Sequence, residues 1–244
     1  FALARLGFSQ SYTYFTWRNS KQELTDYFTE LAATRDYFRP NLWPNTPDIL
    51  HEYLQTGGRP AFMARAALAA TLGASYGIYG PAFELLDNTP REAGSEEYLD
   101  SEKYEVRVWD LERAGSLRDY LARLNAIRRN NAALQSDATL KFRQIDNDQL
   151  ICYSKHSDDG ANVVLVVVNL DPDHAQSGFI DVPLAEWGLD AQSPYLAHEL
   201  LADSRYEWQG ARVFVTLSPA ECPACVYRIE ARRSTSERDF DYFV

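Results

Sequence analysis

The hydrophobic pattern of this chain changes near residue 132, and that change constrains the fold more than any other sequence feature. Before it, segments typical of strands alternate with segments typical of helices, which predicts parallel βα units. After it, short strand-like segments are separated by turns rich in Asp, Asn and Gly, which predicts an antiparallel β-sandwich. We therefore expect residues 1–132 to form an α/β unit, residues 133–232 an all-β domain, and residues 233–244 a tail.

In the α/β unit we predict three helices and three strands. Ser20 and Glu23 have the spacing of a capping box, which starts a helix that we expect to end near Arg35. The other two helices are predicted over residues 59–72 and 116–131, and the strands over residues 8–17, 41–43 and 75–79. On the last helix we expect Arg128 to lie largely outside the buried stripe.

In the all-β domain we predict seven short strands. Each is rich in β-branched or aromatic residues and is bounded by turn residues. The predicted strands cover residues 140–145, 150–155, 163–170, 178–182, 195–200, 213–217 and 225–229.

The composition excludes several classes of function. The formal net charge is -11, which argues against a nucleic-acid partner because phosphates are neutralised by clustered Lys and Arg. No apolar run approaches the ~20 residues of a membrane span, so we expect no membrane partner. Three cysteines are too few for a disulfide framework and suit a reducing cytoplasm.

The sequence predicts no metal or nucleotide cofactor. Cys222 and Cys225 have CxxC spacing, but a zinc site would need two further ligands nearby, and we interpret both cysteines as structural. The glycine-rich patterns that bind phosphates or dinucleotides are absent from the sequence.

Asp48 is a candidate functional residue. It directly follows a predicted strand, on a turn that Pro47 stiffens. In a βα barrel, functional groups lie where strands end and loops begin. A structural role is equally consistent with the spacing, because Asp at this position would also cap the segment that starts at Ile49.

A charged segment lies within the long irregular stretch over residues 80–115. Its polar residues are Glu96, Glu97, Asp100, Glu102, Lys103 and Tyr104. Such a run usually forms a solvated face. The functional alternative is that Lys103 donates to a hydroxyl or phosphate and that Tyr104 packs on a sugar ring.

Five motifs together resemble one family of enzymes. They are GFSQSYTYFTWR at residues 7–18, YFRPN at 37–41, NTPD at 45–48, YLDSEKY at 98–104 and ELLAD at 199–203. They are similar to motifs of the maltosyltransferases that use α-maltose 1-phosphate to extend α-1,4-glucans. Those enzymes are relatives of the α-amylases within glycoside hydrolase family 13. The resemblance covers nearly the whole chain.

The resemblance implies an α/β plus all-β fold: the C-terminal part of a (β/α)8 TIM barrel followed by an antiparallel β-sandwich. The strands predicted over residues 8–17, 41–43 and 75–79 would be the sixth, seventh and eighth barrel strands. A barrel closes only with all its strands, so we expect this chain to be one part of a longer polypeptide.

The resemblance also implies residue roles. Asp48 matches the family's transition-state stabiliser, and Pro47 precedes it as in the maltosyltransferases, where α-amylases usually have His. Lys103 and Tyr104 match a pair that binds the non-reducing end of the maltosyl unit. The nucleophile and the general acid of this retaining mechanism would both precede Phe1. We therefore expect a glycosyltransferase whose 244-residue segment is inactive alone.

The partners implied by the resemblance are α-maltose 1-phosphate, α-1,4-glucan and a second copy of the enzyme in a cytoplasmic homodimer, with no cofactor. Two alternatives stay open. One is another amylase-family enzyme, such as a trehalose synthase-like enzyme or an α-glucan hydrolase. The other is a non-catalytic glucan-binding module.

Overall fold

The computed structural model describes residues 1–8, 11 and 13–231. The α-helices in these ranges are α1 (Ala2–Arg5), α2 (Lys21–Thr34), α3 (Glu52–Thr56), α4 (Gly58–Leu72), α5 (Gly80–Glu84) and α6 (Arg118–Asn130). Two short 3-10 helices cover Tyr14–Trp17 and Ala132–Gln135. Within these ranges no helix is both long and apolar enough to cross a bilayer. The predicted tail over residues 233–244 lies outside the described residues.

The strands are β1 (Lys141–Phe142), β2 (Leu150–His156), β3 (Val163–Asn169), β4 (Gln176–Asp181), β5 (Tyr195–Glu199), β6 (Ser204–Trp208), β7 (Arg212–Leu217) and β8 (Ala224–Ala231). All pair antiparallel: one sheet has the order β1-β2-β3-β8-β5-β6, and the other contains β4 and β7. The seven predicted strands are confirmed, with shifted ends. The prediction missed β6, because its exposed edge position leaves no run of buried apolar residues.

The predicted helices are confirmed. Helix α2 begins with a capping box, in which the Ser20 hydroxyl accepts from the Glu23 N–H and the Glu23 carboxylate accepts from the Ser20 N–H. Helix α4 is the central helix, with every residue from Ala61 to Leu72 buried. A helix that is apolar on all sides must be surrounded by protein, and α4 packs against α6, β3 and β8.

The prediction for Arg128 is wrong, because this residue on α6 is buried. Its guanidinium donates to the carbonyl groups of Ala70, Gly73 and Ala74, at 3.1 Å for Gly73 and 2.7 Å for Ala74. These carbonyls lie at the C-terminal end of α4, where backbone acceptors have no partner inside the helix. Arg128 therefore joins α6 to α4 by satisfying those acceptors.

The strand predicted over residues 8–17 is wrong where the structure describes it; residues 9, 10 and 12 lie outside the described part. Tyr14–Trp17 form a 3-10 helix. The carbonyl groups of Phe15 and Arg18 accept hydrogen bonds of 2.6 Å each from the buried Arg65 guanidinium of α4. The Arg65 side chain therefore binds backbone carbonyl groups that, in a strand, would accept hydrogen bonds from a neighbouring strand.

The strands predicted over residues 41–43 and 75–79 are reduced to one parallel bridge between Leu42 and Tyr76. Leu42 N donates to Ser75 O, and Gly77 N donates to Leu42 O, both at 3.0 Å. Neither segment pairs with a further strand within the described residues. Leu42 itself is buried.

One strand connects the helical and β parts through a shared core. Along β3, Val164 and Val166 pack in the cluster that contains the helices, while Leu165 and Val167 pack in the cluster between the two sheets. Successive strand residues point to opposite faces. Because both faces of β3 are covered, the strand is continuously apolar from Val163 to Val168.

Candidate functional site

Asp48 lies on a tight turn that its neighbours close. Thr46 and Ile49 pair across the turn through two backbone hydrogen bonds of 3.1 Å. The Thr46 hydroxyl accepts from the Asp48 N–H at 3.2 Å. The Asp48 side chain remains 63% exposed. The helix that follows this turn is capped by His51, whose Nδ1 accepts from the Tyr53 N–H at 3.1 Å, and not by Asp48. The Asp48 carboxylate can therefore interact with another group.

Asn45 anchors this turn through hydrogen bonds of its side-chain amide. It is fully buried, and its Nδ2 donates to the Tyr98 hydroxyl at 2.8 Å. Its Oδ1 accepts from the Tyr79 backbone N–H at 2.9 Å. Burial raises the pKa of Tyr98, which keeps its hydroxyl protonated. The Asn45 amide therefore ties the turn to two distant parts of the chain.

The irregular stretch folds back on itself before it reaches Lys103. Pro90 and Tyr98 form an antiparallel bridge, and Arg91 N donates to Glu97 O at 2.8 Å. We call residues 89–99 the 89–99 hairpin. Because Tyr98 also binds Asn45, the hairpin is docked on the turn that carries Asp48.

Lys103 joins the hairpin to the turn. Its Nζ lies 2.5 Å from Asp48 Oδ1 and 2.9 Å from Glu97 Oε1. The hydrogen bond to Asp48, followed in size by the one to Glu97, raises the pKa of Lys103 above its usual value. The Lys103 hydrogen bond is the main cause that lowers the pKa of Glu97. The group therefore consists of one ammonium between two carboxylates.

Tyr104 completes the site. Its ring centroid lies 5.2 Å from Lys103 Nζ, and the residue is 68% exposed. The preceding Glu102 accepts hydrogen bonds from the Tyr79 hydroxyl and from Trp109 Nε1, at 3.0 Å for Trp109. These contacts hold the backbone next to Lys103, while the Tyr104 ring remains open to a ligand.

The structure thus brings all three predicted site residues together, although Asp48 and Lys103 are far apart in sequence. The interpretation of the charged segment as a solvated face holds for Glu102, Lys103 and Tyr104, which are exposed, but not for Glu96 and Glu97, which are partly buried. Glu96 accepts from Trp17 Nε1 at 2.9 Å, and Glu97 and Glu102 have the partners described above. The spacing of these glutamates in the sequence does not predict their contacts. Each partner either lies outside the charged segment or comes close only when the loop folds.

This arrangement suits a polyhydroxylated ligand. The Asp48 carboxylate offers acceptors, the Lys103 ammonium offers donors, and the Tyr104 ring offers an apolar face with a polar tip.

Across the described residues, no group of three or more His, Cys, Asp or Glu side chains is placed to hold a metal ion. Desolvation raises the pKa of the half-buried Cys225 thiol to about 12.

Comparison with known proteins gives a consistent result. A family model described as GLGE, C-terminal, matches residues 142–229. The chain is 49% identical over 244 residues to the α-1,4-glucan:maltose-1-phosphate maltosyltransferase of Myxococcus xanthus, covering 99% of this chain and 36% of that protein. It is 48% identical over 235 residues to the enzyme of the same name from Chlorobaculum tepidum, covering 93% and 35%.

Solved structures show the fold relationship. An Anoxybacillus α-amylase superposes with a TM-score of 0.70 at 12% identity, covering 96% of this chain and 50% of that one. An α-amylase from Geobacillus thermoleovorans, solved with acarbose, superposes with a TM-score of 0.67 at 13% identity, covering 95% and 50%. At these identities the likeness concerns the fold.

The aligned stretch covers 99% of this chain and so includes the turn that carries Asp48, the segment that carries Lys103 and the β domain. The chain spans about a third of the length of the curated relatives it matches. By sequence, the chain is similar over nearly its whole length to a segment of the α-1,4-glucan:maltose-1-phosphate maltosyltransferases, and its residues 142–229 match the family model described as GLGE, C-terminal.

Proposed function

We propose that this chain contributes part of the active site of a retaining maltosyltransferase, which transfers maltosyl units from α-maltose 1-phosphate to the non-reducing end of an α-1,4-glucan and releases phosphate. The observation that carries the proposal is the contact of Asp48, Lys103 and Tyr104 at one exposed site. This site lies within a segment about half identical to enzymes named for that reaction.

The role we propose for Asp48 is transition-state stabilisation. In a retaining transfer, a carboxylate nucleophile displaces phosphate from C1 while an acid protonates the leaving oxygen. The glucan hydroxyl then displaces the carboxylate and gives its proton to the conjugate base of that acid. The resemblance assigns the nucleophile and the acid to positions outside this sequence. Asp48 would accept hydrogen bonds from sugar hydroxyls that strengthen as the ring distorts, and such differential binding lowers the barrier.

Lys103 and Tyr104 would bind the non-reducing end of the maltosyl unit. Lys103 is held as an ammonium by Asp48 and Glu97, so it can donate to a ring hydroxyl. The exposed Tyr104 ring can pack on the apolar face of the second glucose. A site closed after two glucose units would favour transfer of maltose over longer chains.

We also propose the architecture of the complete enzyme. Residues 41–43 and 75–79, joined by the Leu42–Tyr76 parallel bridge, would extend into the seventh and eighth strands of a (β/α)8 barrel. The α/β unit over residues 1–132 would belong to that barrel, and residues 133–232 would be its C-terminal β-sandwich. The amylase-like fold supports this proposal. A cytoplasmic homodimer is the assembly that the family resemblance suggests.

The test is Asp48→Asn in a polypeptide of the relatives' full length that contains this segment. We expect phosphate release from maltose 1-phosphate to fall by orders of magnitude in kcat, with an unchanged circular dichroism spectrum. Asp158→Asn, which removes an exposed carboxylate from the β domain, is the control and should leave kcat unchanged. Near-normal turnover by Asp48→Asn would refute the role. Release of reducing sugar from starch, without phosphate release from maltose 1-phosphate, would identify a hydrolase instead.

A further inference from the structure

Glu97 is a residue of this site to which neither the motifs nor the proposed mechanism assigns a role. Its Oε1 lies 2.9 Å from Lys103 Nζ, and its Oε2 lies 3.0 Å from Arg91 Nη1. Its backbone carbonyl accepts from the Arg91 N–H at 2.8 Å. Arg91 therefore fixes Glu97 at two points, and Glu97 presents its remaining carboxylate oxygen to Lys103.

The 89–99 hairpin gives this arrangement a rigid base. The Pro90–Tyr98 bridge places Arg91 opposite Glu97. Tyr98 is buried and is bound by Asn45, which immediately precedes the turn that carries Asp48. The backbone next to Glu97 is thus held relative to the Asp48 turn by the buried hydrogen bond between Tyr98 and Asn45.

The chemistry of Lys103 requires such an anchor. An ammonium has three N–H donors and no acceptor. In the described residues, Asp48 and Glu97 take two of these donors, which leaves one for a sugar hydroxyl. Under the proposed mechanism, Asp48 must also accept from the sugar, so its contact with Lys103 weakens when the donor binds. A long lysine side chain held at its end by nothing else would then lose its orientation.

We propose that Glu97 is a positioning residue, which holds the Lys103 ammonium in place while Asp48 engages the sugar. Glu97 itself need not touch the substrate. This inference rests on the proposed function, because it assigns Lys103 to the binding of the maltosyl unit.

The first test concerns the 244-residue chain itself and needs no substrate. The pKa of Lys103 is measured by NMR from the change of its 13Cε chemical shift with pH. The signal of Lys103 is identified as the one that is missing from the spectrum of Lys103→Ala. In Glu97→Gln, which keeps the shape of the side chain, we expect that pKa to fall. In Glu105→Gln, which removes the same charge from an exposed position on the same loop, it should change less. Equal values in Glu97→Gln and wild type would overturn the inference.

The second test is kinetic and uses a polypeptide of the relatives' full length with maltose 1-phosphate as donor. We expect Glu97→Gln to raise KM for the donor about 5–10-fold and to change kcat by less than about twofold, because the lost interaction acts equally on bound substrate and transition state. Glu105→Gln should match wild type in both constants. A fall in kcat and in Tm without a change in KM would show a merely structural role and overturn the inference.

Lys103→Ala separates the two proposals. If Lys103→Ala raises KM while Glu97→Gln does not, the positioning role fails and the proposed function stands. If neither substitution changes the kinetics with maltose 1-phosphate, the proposed role of Lys103 fails and the positioning role fails with it.

Discussion

Replacing Glu186 by Gln should destabilise the β domain in a pH-dependent way. The Glu186 carboxylate accepts from Arg143 through both of its oxygens, at 2.9 and 3.0 Å, and its Oε1 lies 2.9 Å from Lys141 Nζ. The hydrogen bond from Arg143 is the main cause that lowers the pKa of Glu186 from 4.5 to about 2. Two-point pairing of this kind is among the stronger charged interactions in proteins.

The structure sets the magnitude of this effect. The difference between 4.5 and about 2 corresponds to ~3.4 kcal/mol at ~1.36 kcal/mol per pH unit. The Glu186 side chain is 31% exposed and that of Lys141 is 54% exposed, so solvent screens part of the interaction. We therefore expect Glu186→Gln to lower the free energy of unfolding by about 1–2 kcal/mol at pH 7.

The sign of the pH dependence follows from the lowered pKa. The unfolded carboxyl binds a proton near pH 4.5, whereas the folded carboxyl binds one near pH 2. The stabilisation is therefore fully present above pH 4.5 and is lost as the pH falls towards 2. The difference between wild type and Glu186→Gln should shrink over that window.

The assay is urea unfolding of the chain between pH 7 and pH 3, followed by circular dichroism. Glu221→Gln is the matched control, because Glu221 is exposed in the same domain; it should change stability by less than about 0.5 kcal/mol. A difference between Glu186→Gln and wild type that stays constant across the pH range, or that is absent at pH 7, would refute the reasoning.

Three further predictions concern the site and the core. Lys103→Ala, in a full-length polypeptide, should weaken binding of maltose 1-phosphate or reduce discrimination between maltosyl and longer donors; unchanged kinetics would count against its role. Arg128→Met should lower the free energy of unfolding by about 3 kcal/mol, because it leaves the carbonyls at the end of α4 without a donor. The exposed neighbour variant Arg129→Met should be nearly neutral in the same urea titration. The 244-residue chain alone should release no phosphate from maltose 1-phosphate, and Asp48-dependent release would contradict that expectation.

Parts of the candidate site could be predicted from short motifs. The turn chemistry around Pro47 pointed to Asp48, and the resemblance pointed to Lys103 and Tyr104. The contacts among them could not be predicted, since the ion pair between Asp48 and Lys103 depends on the docking of the 89–99 hairpin through Tyr98 and Asn45. Glu97 was missed as an anchor for the same reason: within a run of charges, every carboxylate has the same local pattern.

The sequence by itself determined the features that depend on near neighbours along the chain. The capping box at Ser20 and Glu23 formed as predicted, and the seven predicted strands formed because alternation and turn residues act over a few positions. Only the tertiary structure decided the burial of Arg128 and the 3-10 helix at Tyr14–Trp17. In both places a guanidinium satisfies carbonyl groups from a distant segment, and the need to pair buried backbone acceptors overrides the local pattern.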